Sequence, residues 1–132
     1  MDINRISIVS VPVTDQDRAL AFYRDVLDLE VVTDQEVAPG MRWVQLRTRA
    51  AGANFSLTTF GGEAAAGTLR GVILHVDDAR AATGDARAKG AAILREDYGT
   101  PFGDFVEVQD PDGNALTLWT PAPGMDITAI TG

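Results

Sequence analysis

Cysteine is absent from the 132-residue chain, which removes disulfides, thiolate-held metals and cysteine nucleophiles. Histidine and lysine occur once each, as His75 and Lys89. Acid–base chemistry on an imidazole therefore has one candidate only. No stretch approaches the roughly eighteen consecutive apolar residues that a membrane-spanning helix needs. The opening MDINRISIVSVPV has no basic region followed by a long apolar run and a cleavage site, so it reads as a first strand. A reducing, cytoplasmic setting is the expectation. Basic charge is also scarce: 11 Lys and Arg stand against 19 Asp and Glu, for a net charge of −8. No segment concentrates the arginines, which argues against nucleic acid as a partner. The acid excess either attracts a cationic ligand or serves only solubility.

What the chain does contain is an approximate repeat. Residues 3–13 alternate and are rich in Ile and Val, which predicts a strand. Thr14 or Asp15 offers a helix cap, and Ala19/Leu20, Phe22/Tyr23 and Val26/Leu27 recur at helical spacing. Three strand-like segments follow at about 29–34, 41–48 and 54–60. The second half runs the same way. A strand at 71–76 leads to a cap at Asp77 or Asp78 and a helix with an inner face of Ala79, Ala82 and Ala86, ended by Gly90. Strands are then expected at 92–97, 103–110 and 115–120, the last two joined by the turn Asp110–Asn114. GGEAAAG at 61–67 reads as a linker and 121–132 as a loosely anchored tail. The expectation is one α+β domain over 1–132: module one about 1–60, linker about 61–70, module two about 71–120, each βαβββ.

Four runs carry a family resemblance: VPVTD at 11–15, ALAFYRDVLDLEV at 19–31, HVDD at 75–78 and DPDGNALTLW at 110–119. With the duplication, they resemble the vicinal oxygen chelate superfamily of glyoxalases, extradiol dioxygenases, and fosfomycin- and bleomycin-resistance proteins. The first run carries Asp28 where those proteins commonly have glycine, a change the left-handed region tolerates. The resemblance implies two βαβββ modules forming a curved mixed sheet around a cavity, with helices on the outer face. It also implies a homodimer. Metal-using members hold their ion with His or Glu at four positions, which fall here on Ile8, Ser56, Gly71 and Thr117. Two hydroxyls, an alkyl chain and a glycine are poor divalent-metal ligands, so neither a metal nor another cofactor is expected.

Alternation from those positions predicts the cavity face: Ile8 and Ser10; Trp43, Gln45 and Arg47; Ser56 and Thr58; Ile73 and His75; Phe105, Glu107 and Gln109; Thr117 and Trp119. Its mixture of polar and aromatic groups suits a wet ligand cavity, where a face packed on helices would exclude it. His75 is either a hydrogen-bonded wall residue or an acid–base group with Glu107 beside it. Glu107 is otherwise a rim charge. Trp43 and Trp119 either pack in the core or stack on a planar ligand. Arg47 either anchors an anion or is a solvated strand end. Two functions stay open: a metal-free protein that binds and sequesters an aromatic or antibiotic-like small molecule, and a metal-independent lyase or isomerase working through His75 and Glu107.

Overall fold

The computed structural model describes residues 1–125, so most of the tail expected at 121–132 lies outside the described residues. Two compact units divide the chain. One is Met1–Leu69 with Pro111–Asn114, the other Arg70–Asp110 with the residues from Ala115 on. Among the described residues no helix is long and apolar enough to cross a membrane.

The first unit runs β1 (Ile8–Pro12), α1 (Gln16–Ala21), a π-helical turn (Phe22–Val26), β2 (Glu30–Ala38), β3 (Met41–Arg47), β4 (Asn54–Thr58) and the single turn α2 (Gly62–Ala65). Its strands form one sheet in the order β1-β4-β3-β2, with β1 parallel to β4 and the other pairs antiparallel. The second unit has β5 (Val72–His75), α3 (Ala79–Ala88), β6 (Ala92–Thr100), β7 (Gly103–Gln109) and β8 (Ala115–Pro121). Its sheet has the corresponding order β5-β8-β7-β6. The duplicated α+β plan read from the sequence is therefore present in both halves.

Each core follows from alternation. Val11, Val44, Leu46, Phe55 and Leu57 of the first sheet are buried, as are Val106, Val108, Leu116 and Leu118 of the second. Each such side chain contributes about 1.5–3 kcal/mol over exposure. The helices differ in bulk. Phe22 and Tyr23 are buried in the first unit, their rings edge to face at 5.1 Å. Helix α3 instead packs through Ala79, Thr83 and Ala86. The caps resolve to Asp15, which accepts from the Arg18 amide at 3.0 Å, and Asp78, which accepts from the Ala81 amide at 3.0 Å. Asp28 does turn the chain in the left-handed region, at φ 58°.

Several expectations need correction. The first strand spans Ile8–Pro12, not 3–13. The first helix loses its α register at Phe22, where the backbone loosens into a π turn. Thr83 replaces Ala82 on the inner face of α3, because its hydroxyl bonds the Ala79 carbonyl at 2.7 Å and hides its polar atom there. The linker contains the helical turn α2. Most importantly, β2 and β6 reach Ala38 and Thr100, so the segments 29–34 and 92–97 were too short. A bulge falls between Val31 and Thr33 and again between Ile93 and Arg95, breaking the alternation at the same place in both modules.

The turn between β7 and β8 belongs by its contacts to the first unit. Thr14 donates to Asp112 Oδ1 from its amide at 3.2 Å and its hydroxyl at 2.6 Å, and Arg18 donates to the same oxygen at 3.1 Å. Asn114 donates to the Pro12 carbonyl at 2.8 Å and accepts from the Leu69 amide at 3.0 Å. Gly67 passes so close that a Cβ there would strike the Asp112 carbonyl, and its φ of +78° also requires glycine. Arg42 ties β3 to β2 and α1 through Asp34 at 2.8 Å and Asp17 at 2.7 Å. Its hydrogen bond holds the Asp34 carboxyl below the usual range, while partial burial opposes that shift.

Candidate functional site

The register of each sheet shows which side chains share a row on the open face. In the second unit, Ile73 pairs with Thr117, Thr117 with Glu107, and Glu107 with Arg95. One step along the strands the row reads His75, Trp119, Phe105 and Asp97. The corresponding row of the first unit is Ser10, Ser56, Gln45 and Thr33. These rows of the second face are thus aromatic and charged, whereas the Ser10 row of the first is small, neutral and polar, with Trp43 and Arg47 on the same face of β3 to either side of it.

On the second face, Phe105 stacks on Trp119 with ring centroids 6.2 Å apart and planes 19° from parallel. His75 meets the same indole edge-on at 6.2 Å. Trp119 is only 8% exposed, and its Nε1 donates to the Phe102 carbonyl at 2.9 Å. It packs in the core of this unit, and Phe105 rather than Trp119 lines the cleft beside it. Beside this stack lies a cleft of about 390 Å³ lined by Arg95, Asp97, Thr100, Phe102, Phe105, Glu107 and Thr117. Its mouth is shaped by the turn before β7. Gly103 sits at φ +115°, where a Cβ would strike the Thr120 carbonyl, and Thr100 Oγ1 donates to the Gly103 carbonyl at 2.6 Å. That turn leaves the Phe102 ring 65% exposed.

Phe105, Glu107 and Thr117 were legible in the sequence as cavity residues. Arg95, Asp97, Thr100 and Phe102 were missed: the bulge after Ile93 shifts the parity of Arg95 and Asp97, and β6 runs past the expected end at 97 to Thr100. Their signal is the alternation that resumes after the bulge. Arg95 and Asp97 form an ion pair on the open side. Glu96 and Tyr98 turn instead to α3, where Arg87 donates to Glu96 at 2.7 Å and the Arg80 guanidinium lies 4.0 Å over the Tyr98 ring. The Tyr98 hydroxyl, followed by Arg87, holds the Glu96 carboxyl below its ordinary range. Ile73 and His75 stay exposed on β5 and do not line the cleft.

In the first unit, Trp43 donates to Gln45 Oε1 at 3.0 Å, as expected of neighbours on one face. Its ring stacks on Phe60 at 6.4 Å and is half-buried. Ser56 and Thr58 are buried, not wet, so the polar face is closed at β4. Arg47 is held by Glu30 at 3.0 Å and, with Ile8 and Gln45, lines a separate groove in this unit. Gln109 is half-buried at the end of β7.

The family's ligand positions do not suit a metal ion. Ser56 pairs in register with Ser10, and Thr117 with Ile73, while Gly71 lies just before β5. Along these strands the candidates remain alkyl chains, hydroxyls and a glycine. Among the described residues no group of three or more His, Asp or Glu is placed to hold an ion.

Residues 4–118 match the model of the Glyoxalase/Bleomycin resistance protein/Dioxygenase superfamily. The chain belongs to that superfamily. Among solved structures, it is similar to the antibiotic binding protein TnmS3 of Streptomyces sp. CB03234. The two are 31% identical with a TM-score of 0.83, covering 92% of this chain and 99% of that one. A glyoxalase/bleomycin resistance protein of the same strain is also 31% identical, with a TM-score of 0.76 over 86% of this chain and 98% of its own. A superfamily member from Sphaerobacter thermophilus DSM 20745 is 27% identical at a TM-score of 0.78, over 89% and 98%.

Proposed function

We propose that this chain is a metal-independent small-molecule-binding protein that sequesters an aromatic, antibiotic-like ligand against the open face of its second unit. The observation that carries the reading is the Phe105–Trp119 stack beside the cleft that Phe102, Asp97, Glu107 and Arg95 line. A planar ring laid on Phe105 gains stacking energy of about 0.5–1.5 kcal/mol beyond its burial. The carboxylates and the guanidinium then select polar substituents. The 31% identity to a protein named for antibiotic binding supports the same reading. The protein acts as a homodimer, a reading supported by the exposure of Ile8 and Ile73 on the open faces.

Planar aromatic antibiotics titrated against the protein should quench tryptophan fluorescence saturably. Phe105→Leu should weaken affinity by about 1 kcal/mol while the fold survives. Sedimentation should give twice the 14.0 kDa chain mass. If no planar aromatic saturates, or if Phe105→Leu leaves affinity unchanged, the reading fails. It also fails if the protein turns a ligand over and His75→Ala removes about 10²–10⁴-fold of that rate with binding intact, because His75 would then be an acid–base catalyst.

A further inference from the structure

Two carboxylates, Asp97 and Glu107, and one guanidinium, Arg95, line the cleft of the second unit. Arg95 is the cross-strand partner of Glu107 in register, while Asp97 lies two positions along its own strand. The guanidinium goes to Asp97. Glu107 is left over: among the described residues it takes part in no hydrogen bond and no ion pair. The first unit shows the usual outcome, since Glu30 and Arg47 stand in the same cross-strand relation and are joined at 3.0 Å. Glu107 is half-buried, with Thr117 opposite it on β8 and Phe105 two positions before it on the same face of β7. The exposed Phe102 ring lines the same cleft. A carboxylate without a partner is thus held between aromatic walls.

We propose that Glu107 selects a cation: the aromatic ligand of this cleft carries a protonated amine, which pairs with the Glu107 carboxylate. The inference rests on the reading of the cleft as an aromatic-ligand site and adds the charge of its ligand. Once Arg95 and Asp97 offset each other, the lining keeps one negative charge, on Glu107. An ammonium group brings the donors that this acceptor lacks, and a charge-assisted bond of that kind is stronger than a neutral one. The faces of Phe102 and Phe105 favour a cation as well, through the negative face of each ring. The chain's net charge of −8 draws cations towards the protein and turns anions away. An anionic ligand is a poorer fit, because it would have to take Arg95 from Asp97 and lie beside Glu107.

The test is an amide-resolved NMR titration of the full chain with three probes of one shape: 2-naphthylmethylamine, 2-naphthylmethanol and 2-naphthoate. The amides of Phe102, Phe105 and Glu107 should shift saturably, together with the Trp119 indole N–H that is bonded to the Phe102 carbonyl. The Trp43 indole N–H, in the other unit, should stay in place. The amine should bind about tenfold more tightly than the alcohol, and the naphthoate most weakly. Glu107→Gln should bring the ratio of amine to alcohol affinity close to one. Glu107→Asp, with the charge on a shorter arm, should keep an intermediate ratio. Glu63→Gln, which removes the same charge from the first unit, should leave the ratio near tenfold. The proposal is overturned if the amine preference survives Glu107→Gln, or if Glu63→Gln reduces it equally, which would make it an effect of overall charge. Tightest binding of the naphthoate overturns it too, with Arg95 as the selecting group. If amine and alcohol bind the wild type equally and Phe105→Leu weakens both, cation selection falls and the aromatic site stands. If no probe saturates, the aromatic site falls and the selection falls with it.

Discussion

The two units of this chain share a scaffold down to the position of a β-bulge, and differ on the face that the scaffold leaves open. Val31/Thr33 and Ile93/Arg95 flank the bulge in each, and Val44/Leu46 and Val106/Val108 fill corresponding core positions. Yet Ser10–Ser56–Gln45–Thr33 in one corresponds to Ile73–Thr117–Glu107–Arg95 in the other. Core positions are constrained by volume and dryness, so both copies keep branched aliphatics. Open-face positions carry no such constraint, and there chemistry diverged: an aromatic, charged cleft in the second unit and an arginine-lined groove in the first.

The largest effect expected from this contrast separates the two tryptophans. Trp119 is nearly buried, bonded to Phe102 and stacked on Phe105, so Trp119→Ala should cost about 3–5 kcal/mol in a denaturant melt. Trp43 is half-buried against an exposed Phe60, and Trp43→Ala should cost about 1–2 kcal/mol. Equal losses would mean that both rings are core and that the open faces do not differ in the way described. The gap also decides how binding is probed. Lost affinity in Trp119→Ala mixes unfolding with lost contact, which is why Phe105→Leu is the cleaner variant.

The connections after the third strand of each module make a second contrast. The β7–β8 turn is fastened: Asp112 accepts from Thr14 and Arg18, and Asn114 reaches Pro12. The β3–β4 loop is built of alanine and glycine around the groove. Asp112→Ala removes the acceptor that Thr14 and Arg18 share and should cost about 1–2 kcal/mol, since the exposed donors then turn to water. Ala51→Gly should change stability by less than about 0.5 kcal/mol. Thermal melts of both variants check the pair, and a harmless Asp112→Ala would show that the turn merely lies against its neighbours.

These contrasts also mark what was legible in the sequence. Periodicity and caps placed every strand and both main helices, since Val and Ile at alternate positions and Asp before an apolar helix act locally. Alternation likewise put Phe105, Glu107 and Thr117 on one face. It did not reach Arg95 and Asp97, because a bulge shifts parity and has no residue signature here beyond the exposed Val32 and Leu94. Nor did it reveal Arg5 as a neighbour of Arg47 and Arg49 across one groove, because that proximity is set by strand pairing over some forty residues of chain. Asp112 was read only as part of the turn Asp110–Asn114. Its partners, Thr14 and Arg18, lie nearly a hundred positions away.

The smallest effect has the opposite sign. Ser56 and Thr117 hold corresponding register positions, but Ser56 is 0% exposed and its Oγ has no hydrogen-bond partner among the described residues, whereas Thr117 lines the cleft. A buried hydroxyl without a partner has lost water and gained nothing, so removing it relieves that desolvation cost, while the void left by one oxygen is small. Ser56→Ala should therefore leave stability unchanged or raise it by up to about 1 kcal/mol. Thr117→Ala should leave stability within about 0.5 kcal/mol and act instead on ligand affinity. Chemical denaturation of the two variants, each with and without a bound aromatic, measures both halves. A loss above about 1 kcal/mol in Ser56→Ala would show that the hydroxyl is satisfied in solution. The first open face would then be hydrated at β4, and the contrast between a sealed polar row and an open charged one would have to be abandoned.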